Sequence, residues 1–172
     1  MRVVIVEDHV LLREGMVALL QEHDIEVVAQ AEDGPGLLRI VHGHKPDLAI
    51  CDVRLPPTFT DEGIRAALEA RRRQPGLAVL VLSQYVEPAY SAELLQEGEG
   101  GIGYLLKERV SEVRTFVESV KRVAAGDARY GLEELAYLAD ALFEQVADAG
   151  FAACEQLGCV GGFDVLGEDE DG

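Results

Sequence analysis

Four places in this 172-residue chain put a reactive or charged side chain directly after a short apolar run. Glu7 and Asp8 follow Val3-Val4-Ile5-Val6, Asp52 follows Leu48-Ala49-Ile50-Cys51, Ser83 ends the run from Ala78, and Lys107 follows Leu105-Leu106. Taken singly, an Asp after a strand is usually a turn residue or helix cap. Independent caps at four strand ends would not be expected to add up to one chemistry, and these do. Three carboxylates brought to one edge repel and raise one another's pKa unless a cation sits among them. Oxygen ligands with open positions suit Mg²⁺, which keeps several waters and favours phosphate as a co-ligand. Asp52 can then act as a nucleophile, the metal and Lys107 neutralise phosphoryl oxygens, and Ser83 can hydrogen-bond one of them. The set is one for handling phosphoryl groups.

The elements that must position these residues follow from hydrophobic patterning. Val3–Val6, Glu26–Gln30, Leu48–Cys51, Ala78–Ser83 and Gly101–Leu106 are strand candidates. Most are continuous apolar runs, which points to strands buried on both faces of a parallel sheet. Helical periodicity lies between them. Leu12, Met16, Leu19 and Leu20 share one face of a helix over roughly 11–23. Ile64, Ala67, Leu68 and Arg71 do so for a third helix, and Val110, Val113, Val117, Val120 and Ala124 for a fifth. The stretches 35–43 and 88–97 are weaker helices, opened by Pro35 and Pro88 at helix-starting positions. Five β-α repeats predict an open, doubly wound α/β sheet, whose site lies at the carboxyl ends of its strands.

At these residues the chain resembles the receiver domain of bacterial two-component response regulators of the NarL/FixJ (LuxR-type) family. The resemblance rests on Val3-Val4-Ile5-Val6-Glu7-Asp8-His9, Asp47–Pro56, Leu80-Val81-Leu82-Ser83 and Gly103-Tyr104-Leu105-Leu106-Lys107, and it covers residues 1 to about 125. It implies a flavodoxin-like five-stranded parallel sheet in the order 2-1-3-4-5. It also implies a sensor histidine kinase that passes a phosphoryl group to Asp52, and Mg²⁺ held by Glu7, Asp8, Asp52 and the backbone carbonyl of Arg54. Ser83 and Tyr104 would form the switch pair, the hydroxyl moving toward the phosphoryl group and the ring turning inward. The chain departs from the family's common form at three places. The loop from Asp52 to Gly63 is a few residues longer, Gly98-Glu99-Gly100-Gly101 lengthens the turn into the fifth strand, and Glu108 replaces the proline that often follows the lysine. These departures bear on loop geometry and phosphoryl lifetime, not on the class of reaction. Arg54 and Tyr85 are expected to flank the phosphoryl site and restrict attacking water.

Composition bounds the remaining readings. With 48% hydrophobic residues the chain can build a core, and no apolar run reaches the roughly 20 residues of a membrane helix. Three cysteines make no disulfide framework and fit a reducing, cytoplasmic setting. The net charge is −17, and residues 127–172 carry 12 acidic side chains against one basic, Arg129. The charge shift places a boundary at 126. It separates a receiver domain (1–126) from an amphipathic helical extension (127–150) and a Gly-rich acidic tail (151–172), expected to be disordered. In the extension Leu132, Leu135, Ala139, Leu142, Val146 and Ala149 follow helical spacing, with Glu133, Asp140, Glu144 and Asp148 opposite. Its apolar stripe must be covered by the receiver, by a second copy or by another protein.

A DNA-reading module needs several basic residues, so no direct nucleic-acid contact through this chain is expected. The alternative is a DNA-binding regulator of the same family, truncated here or acting through a partner's basic domain. A haloacid-dehalogenase-like phosphohydrolase is disfavoured because Arg54 stands where its second aspartate would. His9 reads as a loop surface residue, Arg71-Arg72-Arg73 as a solvated helix end, and Cys154 and Cys159 as no zinc site. The reading is a signalling switch that is not a turnover enzyme. Its output would be a protein–protein contact or phosphorylation-dependent dimer, through the 88–97 helix, the fifth strand and the fifth helix.

Overall fold

In the computed structural model, residues 1–85 and 100–127 are described. The predicted 88–97 helix, the 131–149 helix and the acidic tail lie outside them, as do Cys154 and Cys159. Five strands form one parallel sheet: β1 (Arg2–Val6), β2 (Glu26–Ala31), β3 (Leu48–Asp52), β4 (Ala78–Ser83) and β5 (Ile102–Leu106), in the order β2-β1-β3-β4-β5. This is the expected flavodoxin-like arrangement. The described helices are α1 (Val10–Glu22), α2 (Gly34–His44), α3 (Glu62–Arg73) and α4 (Val113–Ala124), with a 3-10 turn over Lys107–Ser111. Among the described residues no helix is long and apolar enough to cross a membrane.

Period-two alternation along the strands divides the core into two layers. Val4, Val6, Ala49, Cys51, Val79 and Val81 face α2 and α3 with Leu37, Val41, Ile64 and Ala67. Val3, Ile5, Leu48, Ile50, Leu80 and Leu82 face α1 and α4 with Met16, Leu20, Phe116 and Val120. Both faces of the central strands are therefore buried, and this is why their sequences run apolar without alternation. β2 differs because it is the edge strand. Glu26 and Gln30 are exposed and its other residues only partly buried, and its ladder with β1 slips by one residue after Val3.

The structure corrects two expectations and adds to a third. Val110 does not begin the last helix: it is buried in the 3-10 turn, and α4 starts after Glu112, whose backbone (φ −85°, ψ 80°) is not helical. Arg71-Arg72-Arg73 is not uniformly a solvated end. Arg72 and Arg73 are exposed and pair with Glu69. Arg71 lies half-buried on the inner face of α3 and donates from Nη1 to the Leu77 carbonyl (2.6 Å) and the Gly101 carbonyl (3.2 Å), and from Nη2 to the Gly100 carbonyl (3.2 Å). Its guanidinium thus clamps the turns that enter β4 and β5. His9 is exposed, as expected, but it also caps α1, its Nδ1 accepting from the Leu12 amide at 3.4 Å. Because His9 takes the cap, Asp8 is left free of that duty.

Candidate functional site

Parallel register carries the strand-end residues to one edge. Val6 pairs with Cys51, Asp52 with Leu82, and Ser83 with Leu106. The next residue along β1 is therefore Glu7 beside Asp52, and the next along β5 is Lys107. Asp52 closes β3, and the amide that follows it, Val53 N–H, still donates to the Leu82 carbonyl at 3.0 Å. The carboxylate is thereby delivered from a rigid element and not from a loop.

Glu7 is wholly buried, Asp52 nearly so, and Asp8 partly exposed. One carboxylate oxygen from each lies within 4.8 Å of the other two. The Lys107 ammonium sits between two of them, 2.8 Å from Glu7 Oε2 and 2.9 Å from Asp52 Oδ2. Burial is the main reason the Glu7 and Asp52 carboxyls are pushed above the usual carboxylate range, and Lys107 pulls both back. Burial pulls the Lys107 ammonium down, but its hydrogen bonds and charge contacts with Glu7 and Asp52 outweigh this and raise it. The cluster has one cation for three anions. Glu7 Oε2 is fully buried, and among the described residues only the Lys107 ammonium, 2.8 Å away, stands beside it. An all-oxygen donor set with excess negative charge and an under-satisfied buried oxygen is what a hard divalent cation fits.

Around this centre, Ser83 is buried at the end of β4 and donates from Oγ to the Tyr85 carbonyl at 2.8 Å. The Tyr104 hydroxyl donates to that same carbonyl at 2.7 Å. The Tyr104 ring is buried in this structure, packed in the layer beneath α3. Arg54 lies over the exposed Tyr85 ring, its guanidinium carbon 5.7 Å from the centroid. Every residue expected at the site is thus at or near the carboxyl edge of the sheet, and Glu7, Asp8, Asp52 and Lys107 are brought into one cluster.

Two supporting residues were not foreseen. Gly63, in the first turn of α3, donates its amide to the Val53 carbonyl at 2.9 Å, and a Cβ there would fall 1.6 Å from the Asp52 carbonyl oxygen. Only glycine lets α3 start so close to the strand end that carries the nucleophile. Arg13 is a buried guanidinium on α1 whose Nη1 donates to the Glu7 carbonyl at 2.6 Å. The signal was present: Arg13, Met16 and Leu20 have the i, i+3, i+7 spacing of the buried stripe, and a charge in that stripe needs buried acceptors.

Comparison with known proteins agrees with this architecture. Residues 3–118 match the family described as response regulator receiver domain. The chain is 37% identical over 128 residues to the transcriptional regulatory protein DegU of Brevibacillus brevis, covering 74% of this chain and 51% of that protein. It is 36% identical over 123 residues to the probable transcriptional regulatory protein NarL of Mycobacterium tuberculosis, covering 70% and 55%. The chain therefore spans about half the length of these relatives. The solved signal receiver domain of the putative response regulator NarL from M. tuberculosis superimposes with a TM-score of 0.63 at 35% identity, covering 73% of this chain and 96% of that one.

Proposed function

This chain belongs to the response regulator receiver family, and on that premise we propose that Asp52 accepts a phosphoryl group from a sensor histidine kinase, with Mg²⁺ held by Glu7, Asp8, Asp52 and the backbone carbonyl of Arg54. Receiver domains are phospho-accepting switches of two-component signalling, not turnover enzymes. The single observation that carries the assignment is the Lys107 ammonium lying between Glu7 and Asp52, with Asp8 completing an acidic triad.

Asp52 must be ionised to attack, and burial opposes ionisation. The ammonium at 2.9 Å offsets this by stabilising the carboxylate. A bond then forms from an Asp52 oxygen to phosphorus as the bond from phosphorus to the kinase imidazole breaks. Bound Mg²⁺ would offset the carboxylate charge and the charge on the phosphoryl oxygens. Lys107 is placed to follow a phosphoryl oxygen as it leaves its contact with Asp52. Ser83 shares the Tyr85 carbonyl with Tyr104. A turn of the Ser83 hydroxyl toward a phosphoryl oxygen would leave that carbonyl to Tyr104 and report the modification to the β4–β5 face.

Incubation with Mg²⁺ and acetyl phosphate is expected to add the mass of one phosphoryl group, released by hydroxylamine as an acyl phosphate is. Asp52→Asn or excess EDTA should abolish it. Retention of the modification in Asp52→Asn would overturn the assignment.

For output, we infer a protein–protein contact, including a phosphorylation-dependent homodimer, and no direct nucleic-acid contact through residues 127–172, whose charge would repel a phosphate backbone. Light scattering with Mg²⁺, with and without beryllofluoride, tests the dimer. A monomer under both conditions removes it, and salt-sensitive retention on DNA would favour the DNA-binding reading of the longer relatives.

A further inference from the structure

Arg13 makes contacts that neither the core nor the phosphoryl chemistry requires of it. The side chain is about 10% exposed and closes the first turn of α1, one turn below the Glu7-Asp8-His9 corner. Its Nη1 donates to the Glu7 main-chain carbonyl at 2.6 Å, its Nε to Gln30 Oε1 at 3.1 Å, and its Nη2 to Glu32 Oε1 at 3.0 Å. Each of the three guanidinium nitrogens thus makes one bond, and together they bridge the β1–α1 corner to the end of the edge strand β2. The Glu7 amide is tied to the same strand end, donating to the Ala31 carbonyl at 3.1 Å.

We propose that Arg13 is a positioning residue for the acidic cluster, setting the main chain at Glu7 so that the Glu7 and Asp8 carboxylates meet Asp52 at cation-binding distance. This rests on the reading of Glu7, Asp8 and Asp52 as a divalent-cation site. Without the clamp, the corner that supplies two of the three carboxylates keeps the His9 cap, the amide bond to Ala31, the His9 amide on Glu7 Oε1 (3.2 Å) and the Lys107 contact, but loses the side chain that fixes the Glu7 main-chain carbonyl. Lysine cannot replace arginine here, since one ammonium does not span three acceptors set in a planar fork. Outer contacts that orient metal ligands typically carry a ten- to hundredfold effect on affinity.

The test is Mn²⁺ binding, followed by electron paramagnetic resonance of the free ion, with Mg²⁺ as competitor. Arg13→Lys, which keeps the charge, is expected to weaken binding roughly tenfold. Glu32→Gln is exposed and leaves the core intact, so it keeps the test alive if Arg13→Lys does not fold. It is expected to weaken binding in the same direction by a smaller factor. Glu14→Gln, which removes the same charge from the exposed face of α1, is expected to leave binding unchanged. Thermal melts in EDTA separate the roles, since a purely structural residue would lower the melting temperature and leave the ion affinity alone. Wild-type affinity in Arg13→Lys, or in Glu32→Gln where the former does not fold, overturns the proposal and leaves the site standing. Absence of binding by the wild-type protein overturns the site reading itself.

Discussion

Replacing Lys107 by methionine keeps the reach of the side chain and deletes its ammonium, leaving Glu7 and Asp52 buried with no cation beside them. Breaking a buried ion pair by removing one partner costs about 3–5 kcal/mol. Here the lysine is 22% exposed while the Glu7 and Asp52 side chains are 0% and 6% exposed, so water screens part of the loss. About 2–3 kcal/mol is expected at pH 8 in EDTA. At roughly 3 °C per kcal/mol for a domain of this size, the melting temperature should fall by about 8 °C.

The pH dependence follows from the direction of the shifts. Burial first, and carboxylate repulsion after it, hold the Glu7 and Asp52 carboxyls above their usual values in the folded protein. The folded state then binds their protons more tightly than the unfolded chain, and metal-free stability falls as pH rises from about 4 through the folded values. Lys107 is raised above its usual 10.5, so its contribution is fully present below that and does not vary between pH 5 and pH 8. In Lys107→Met the carboxyls rise further, so they can take up protons at pH 5 and relieve the repulsion, but less so at pH 8. Circular dichroism melts of both proteins at the two pH values give the answer. A Lys107→Met loss that is as large at pH 5 as at pH 8, or a melt within about 2 °C of wild type at pH 8, would refute the electrostatic account.

Gly63→Ala must move α3 or the strand end, because its Cβ would lie 1.6 Å from the Asp52 carbonyl. A loss of about 1–3 kcal/mol in urea unfolding is expected, together with slower phosphorylation by acetyl phosphate. Arg71→Ala takes donors from the carbonyls of Leu77, Gly100 and Gly101. It should cost about 1–3 kcal/mol in the same assay, and an unchanged midpoint would show that the clamp is idle. Tyr85→Ala removes the ring beneath Arg54 at the rim of the site and is expected to shorten the aspartyl-phosphate half-life, read by intact mass against time. An equal half-life would show that the pair does not shield the phosphoryl group from water.

Much of this protein is legible without coordinates. The apolar runs give all five strands to within a residue or so, since strands buried on both faces cannot hide their composition. The carboxylates, serine and lysine of the site are legible because each stands where its strand ends, and parallel topology brings strand ends to one edge whatever the details. Composition and spacing along the chain therefore specify the fold and the chemical groups at its working edge. How those groups are held depends on contacts made only when the layers pack. Lys107 bridges Glu7 and Asp52 across three strands, Arg13 reaches from α1 to the end of β2, and Arg71 grips turns that lie 6 and about 30 residues away in the chain. Gly63 is required only because Asp52's carbonyl arrives against it from β3. Period and composition are local properties of the chain, so they record which face a residue buries. They carry no record of which distant carbonyl or carboxylate will be waiting there, and that is fixed only when the layers pack.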